Sequence, residues 1–171
     1  MDKKAITILI IEDEPDISEL IEYNLTQSGY SIIVSNNGEK GIEIARKHLP
    51  DLILLDLMLP GIHGIDVCRI LKNDKDTSGV SIIMLTALGQ EEDIIKGLET
   101  GADDYVTKPF SFPILEARIV SVLRRIKNGN IEKEKVSNSG IVISSKKREV
   151  QIDGKNIEVL TFTEFQILHL L

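Results

Sequence analysis

Two periods of apolar and polar residues take turns along this chain. Ile6 to Ile11 is an apolar run, interrupted by Thr7 alone, the mark of a strand buried on both faces. It gives way at Glu12-Asp13-Glu14-Pro15, where Pro15 suits the first turn of a helix. That helix carries Ile17, Leu20, Ile21 and Leu25 on one face, and Gly29 lies just past its end. Tyr30 to Ser35 reads as a second strand. Asn37-Gly38 then turns the chain into a helix with Ile42, Ala45 and Leu49 inward, stopping before Pro50. The third strand, Leu52 to Leu55, ends in the carboxylate of Asp56, after which Pro60-Gly61 turns the chain. A helix over Ile65 to Leu71, a loop at Ser78-Gly79 and a strand over Val80 to Thr86 follow. Next come a fourth helix over Glu91 to Leu98, Gly101, a short fifth strand holding Tyr105 and Val106, and a last helix over Leu115 to Ile126. Strands alternating with helices predict an α/β fold built on a doubly wound, five-stranded parallel sheet.

The pattern changes after position 127. Residues 128–138 are polar with no periodic apolar face, and read as a linker between a first domain, 1–127, and a second piece, 139–171. Gly140 to Ile143 and Glu149 to Ile152 look like short strands, Asp153-Gly154 is a hairpin signal, and Ile157 to Val159 continues the meander. Thr161 with Glu164 three residues on is a capping box for a helix whose stripe is Phe162, Phe165, Leu168 and Leu171. One small sheet and one helix are too little to bury a core alone.

Charge sharpens the division. Residues 1–127 hold 21 acidic and 14 basic side chains and so carry the whole net charge of −7, whereas residues 128–171 balance at 6 of each. Neither part has the basic footprint of a self-sufficient nucleic-acid binder. Cys68 is the single cysteine, which excludes a disulfide framework and a cysteine zinc site and reads as a small core residue. No signal peptide precedes the first strand and no apolar run reaches the ~20 residues of a membrane span, so a cytoplasmic protein with no membrane partner is expected. His48, His63 and His169 show no ligand spacing and no role is assigned to them.

In an open parallel sheet functional groups gather beyond the carboxyl ends of the strands. There the pattern assembles Glu12 and Asp13 from the first strand, Asp56 from the third, Thr86 from the fourth and Lys108 after the fifth. Each has an ordinary explanation: a helix cap, a loop cap, a satisfied hydroxyl, a surface lysine. Together, at successive strand ends, they make a site. Packed carboxylates repel one another unless a cation joins them, and all-oxygen ligation suits Mg²⁺. A divalent ion and a lysine would neutralise a phosphoryl group arriving on Asp56, and Thr86 offers its oxygens a hydroxyl donor.

These residues carry a resemblance. Glu12-Asp13, Asp56 with Met58-Leu59-Pro60-Gly61, Thr86-Ala87, Gly101-Ala102-Asp103-Asp104-Tyr105 and Lys108-Pro109-Phe110 make residues 5–127 similar to the receiver domain of two-component response regulators, a flavodoxin-like fold. The resemblance implies that Asp56 accepts a phosphoryl group from a phosphohistidine of a sensor histidine kinase. It also implies that Asp13 and Asp56 bind Mg²⁺ directly, Glu12 mostly through water, and Met58 through its backbone carbonyl. Lys108 and Thr86 would hold the phosphoryl oxygens, and Tyr105 would be the aromatic that turns inward as Thr86 is drawn to the phosphate. Met58 and Leu88 would flank the path of hydrolytic water, and two bulky apolar side chains there predict slow autodephosphorylation. Other readings are a stand-alone phosphotransfer module, an aspartate-based phosphohydrolase, and a nucleotide-binding flavodoxin-like domain. The second needs another acid where Met58 stands, and in the third Glu12-Asp13 would repel a phosphate.

Gly154, Leu160-Thr161 and Glu164-Phe165-Gln166-Ile167-Leu168 resemble the start of the winged-helix DNA-binding domain of the OmpR/PhoB class. That implies a transcription regulator in which DNA is a partner of the full-length protein. The remaining helices and the wing would lie beyond Leu171, so this chain is not expected to bind operator DNA itself, and residues 139–171 are expected to be poorly ordered. In that class phosphorylation favours a homodimer through the fourth helix, fifth strand and fifth helix. Here that face would comprise Ile94, Ile95, Leu98, Asp103, Asp104, Ile114 and Arg118, with Asp104–Arg118 as the ion pair. Ile94 and Ile114 stand where the class usually has a basic residue and Glu, an apolar replacement of one bridge.

Overall fold

The computed structural model describes residues 6–87, 100–128, 141–144, 149–152 and 155–156. It divides the chain into two compact units, Met1–Arg124 and Arg125–Leu171. In the first, β1 (Thr7–Ile11), α1 (Pro15–Gln27), β2 (Ser31–Ser35), α2 (Gly38–His48), β3 (Leu52–Asp56), α3 (Gly64–Asn73), β4 (Ser81–Ala87), β5 (Asp104–Lys108) and the greater part of a helix over Phe112–Asn128 follow in order. The five strands form one parallel sheet in the order β2-β1-β3-β4-β5.

Alternation along the strands builds two cores. Ile8 and Ile10 of β1 point to one face and pack with Ile21 and Leu25 of α1 and with Leu115, Ile119, Val122 and Leu123 of the Phe112–Asn128 helix. Leu9 and Ile11 point to the other, with Ile42 and Ala45 of α2 and Val67, Cys68 and Leu71 of α3. The central strand β3 is buried throughout, the expected fate of an apolar run covered on both sides.

Several expectations shift. Leu20 is 59% exposed, not inward: the buried stripe of α1 runs through Ser18, Ile21 and Leu25, and Leu20 lies one residue off it. Leu49 is also exposed, because it closes α2 as a left-handed cap (φ 45°) whose N–H donates to the Ala45 carbonyl, and this turns its side chain outward. A left-handed leucine is strained by about 1–3 kcal/mol. β5 is longer than Tyr105-Val106 and takes in Lys108, and the helix expected over Leu115–Ile126 begins at Phe112 and ends at Asn128. α3 begins at Gly64, capped by His63.

In the second unit β6 (Ile141–Ser144), β7 (Glu149–Ile152) and β8 (Lys155–Asn156) form an antiparallel sheet in that order. The third strand is thus Lys155–Asn156; the expected Ile157–Val159 extension and the helix opened by Thr161 lie outside the described residues. So do Leu88, the expected helix over 91–98, and with it Ile94, Ile95 and Leu98. Among the described residues no helix is long and apolar enough to cross a membrane.

Candidate functional site

The strand order places the site. β1 and β4 flank β3, so Glu12 and Asp13 leave β1 on one side of Asp56 and Thr86, next to last in β4, stands on the other. Asp56 is the last residue of β3 and is 3% exposed. Its Oδ1 accepts the N–H of Met58 at 3.1 Å, and its Oδ2 accepts from Nζ of Lys108 at 2.9 Å. Lys108 ends β5, the neighbour of β4, and its side chain spans the intervening strand to reach the carboxylates.

Lys108 serves more than one anion. Nζ also meets Glu12 Oε2 at 2.8 Å and Glu14 Oε1 at 3.8 Å. Glu12 is 1% exposed, and its Oε1 accepts the N–H of Glu14 at 3.3 Å. Its Oε2, fully buried, meets the lysine in a geometry that falls short of a hydrogen bond. Burial pushes the Glu12 carboxyl up from the ordinary 4.5 to about 7; Lys108 pulls it back and the charge of Asp56 pushes it further. For Lys108, loss of water pulls the ammonium down, but Glu12 and Asp56 together outweigh that and leave it raised.

Glu12, Asp13 and Asp56 can each bring one carboxylate oxygen to within 4.8 Å of the others. Hard oxygen donors on three strand-end carboxylates, one with an incompletely bonded buried oxygen, fit a hard divalent cation such as Mg²⁺. Thr86 is fully buried, and its hydroxyl donates to the Ala87 carbonyl at a long 3.4 Å. Met58, 55% exposed, stands at the mouth of the site. Tyr105, opposite Met84 on β5, is 37% exposed.

The geometry and the comparisons agree on the family. A model of the response regulator receiver domain matches residues 8–120. The chain belongs to the response regulator family. The receiver fold accounts for the parallel sheet and for the acidic pocket at its carboxyl edge. Among curated relatives, the phosphate regulon transcriptional regulatory protein PhoB of Pseudomonas aeruginosa is 44% identical, the match covering 95% of this chain and 70% of that protein. The DNA-binding dual master transcriptional regulator RpaA of a Synechocystis strain is 42% identical over 96% of this chain and 69% of its own length. Among solved structures, a two-component response regulator from Clostridium difficile is 30% identical with a TM-score of 0.66, covering 71% of this chain and 98% of its own. The chain is therefore a two-component receiver related to transcription regulators.

Of the residues expected on the dimer face, Asp104 and Arg118 pair with each other inside this one chain, Nη1 lying 3.2 Å from Oδ2, rather than across to a second copy. Ile114 is 56% exposed. Asp103 is engaged within its own unit, where Oδ2 takes Nζ of Lys72 and the N–H of Ile82, each at 2.9 Å. Two participants were not singled out from the sequence. Glu14 approaches Lys108, and Gly64 presses on the backbone of Asp56: an added Cβ would collide with the Asp56 carbonyl oxygen and lie 2.7 Å from Leu57 Cα. A glycine at the first position of a helix, just beyond the loop that leaves Asp56, is the trace that could have found it.

Proposed function

We propose that this receiver takes a phosphoryl group on Asp56 from the phosphohistidine of a sensor histidine kinase and passes the signal on by dimerising. The observation that carries the reading is the lysine bridge. Asp56 is buried at a strand end with Nζ of Lys108 2.9 Å from it, and the same ammonium serves Glu12. In the transfer an Asp56 carboxylate oxygen attacks phosphorus, the P–N bond to imidazole breaks, and the imidazole nitrogen leaves with the bond's electron pair. Lys108 follows the charge onto the phosphoryl oxygens and Thr86 donates its hydroxyl to one of them. Asp13 and Asp56, Glu12 mostly through water, and the Met58 carbonyl would hold Mg²⁺, which when bound neutralises the charge that collects on the phosphoryl oxygens.

Tyr105, half outward, supplies the element that turns in as Thr86 moves to the phosphoryl group, biasing a surface with two arrangements. Asp104, Arg118 and Ile114, with Ile94, Ile95 and Leu98 from the sequence pattern, form the face that pairs with a second copy; Asp103 supports it from within through Lys72. Met58 beside Asp56, with Leu88, slows hydrolysis of the aspartyl phosphate. The antiparallel β6-β7-β8 sheet favours a winged-helix effector as the DNA-binding output over a stand-alone phosphotransfer module.

Incubation with acetyl phosphate and Mg²⁺, read by phosphate-affinity electrophoresis and sedimentation, tests this. One phosphoryl group on Asp56 and a shift to dimer are expected, both lost in Asp56→Asn. Labelling that survives Asp56→Asn, or a wild-type chain that takes no label, refutes it.

A further inference from the structure

We propose that His63 is a positioning residue for Asp56, acting through the N-terminus of α3; the proposal rests on Asp56 being the phosphoryl acceptor. His63 is the N-cap of α3, its Nδ1 accepting the N–H of Ile65 at 3.3 Å. N-caps are ordinarily Ser, Thr, Asp or Asn. An imidazole can accept there only as the neutral tautomer with its hydrogen on Nε2. It caps the helix without adding a carboxylate to the loop that leaves Asp56, whose pocket already gathers those of Glu12 and Asp13.

What the cap holds in place is the backbone behind the acceptor. Gly64, the first residue of α3, donates its N–H to the Leu57 carbonyl at 3.0 Å. Its bare Cα face lies so close to the Asp56 carbonyl that no side chain fits between them. Leu57 in turn donates its N–H to the Leu85 carbonyl of β4 at 3.0 Å. The residue after the acceptor is therefore gripped by β4 on one side and by α3 on the other. The next residue, Met58, aims the carboxylate by donating its N–H to Asp56 Oδ1 at 3.1 Å. If the first turn of α3 frays, one of the two grips on Leu57 goes, and the orientation of the carboxylate goes with it.

Three variants separate positioning from plain stability. His63→Ala removes the cap, and His63→Asn keeps a side-chain acceptor. Thr77→Val breaks the bond from Oγ1 to the Leu71 carbonyl (2.8 Å), near the far end of the same helix. For each, the phosphorylation rate with acetyl phosphate, the half-saturating phosphodonor concentration and the hydrogen exchange of the Met58 amide are measured, with urea unfolding alongside. His63→Ala is expected to lower the maximal rate on the order of tenfold, short of the 10²-fold that a full ångström of misplacement can cost, with half-saturation unchanged and Met58 exchanging faster. His63→Asn restores both, and Thr77→Val leaves both as in the wild type despite its lower stability. A His63→Ala chain with normal rate and a protected Met58 amide overturns the proposal, as does a Thr77→Val chain equally slow. Should no variant or wild type take a phosphoryl group while Met58 exchange still follows the cap, the positioning stands and the assignment of Asp56 as acceptor falls.

Discussion

Glu12→Gln should stabilise this protein, and the gain should depend on pH. Burial has raised the Glu12 carboxyl from 4.5 to about 7. Between those values the folded chain keeps a proton that the unfolded chain has released, so stability falls as pH rises through the window. Below about 4.5 both states hold the proton and there is no penalty; above about 7 the penalty is complete. At 1.36 kcal/mol per pH unit the window amounts to about 3 kcal/mol. That figure already contains the pull of Lys108, and the lysine keeps Asp56 at 2.9 Å when Glu12 loses its charge. The glutamine retains an oxygen for the Glu14 N–H. A gain of about 1–3 kcal/mol at pH 8 is therefore expected, shrinking to nothing near pH 4.5.

Urea unfolding in EDTA across that pH range measures it, and the gain should appear at pH 8 as a midpoint shift on the order of 1 M. Saturating Mg²⁺ should raise the wild type more than the variant, because only the wild type adds the Glu12 charge to the pocket. A variant less stable than the wild type at pH 8 refutes the reasoning, and so does a gain that persists unchanged to pH 4.5.

Arg118→Ala should leave the melting of the unphosphorylated chain nearly unchanged, since Arg118 is half-exposed and such a pair contributes about 0–1 kcal/mol. Sedimentation with beryllofluoride should nevertheless show its dimer weakened. Cys68, fully buried on the core side of α3 with burial pushing its thiol up, should resist a chromogenic disulfide reagent in the native protein. It should label at the rate of unfolding once urea is added; fast native labelling would contradict that packing.

The sheet was legible because its signal is coarse. Ile6 to Ile11 and Leu52 to Leu55 are apolar runs that no partly exposed strand would carry, and alternation with amphipathic helices left a parallel sheet as the simple solution. Asp56, Glu12, Asp13 and Thr86 followed, because a parallel sheet puts strand ends at one edge whatever the side chains are. The less legible features depend on distances of a few ångströms. Leu20 looks inward on a helical wheel until Ser18 is known to share the buried stripe. Leu49 looks like the last core position of α2 until its left-handed backbone turns it out. His63 has no ligand spacing because its partner is a backbone N–H two residues away, and Gly64 matters through the side chain it lacks. Lys108 was placed at that edge by the same rule, but that its ammonium meets both Glu12 and Asp56 is settled only by distances of about 3 Å.

The pocket is the place where this fold works against itself. Glu12 and Asp56 are acidic, buried and adjacent, with one ammonium between them. The rest of the sheet bears the repulsion: β1 and β3 are packed on both faces by residues such as Ile8, Leu9, Leu54 and Leu55, each fully buried, so the strand ends cannot spread to relieve it. Repulsion that cannot relax structurally can be relieved only by a proton, by a cation, or by removing a carboxylate. Glu12→Gln takes the last route and gains stability. By the same act it removes negative charge that favours a divalent ion beside Asp56, so the variant should take a phosphoryl group more slowly at limiting Mg²⁺. Stability and phosphoryl acceptance are thus opposed at this position for one electrostatic reason.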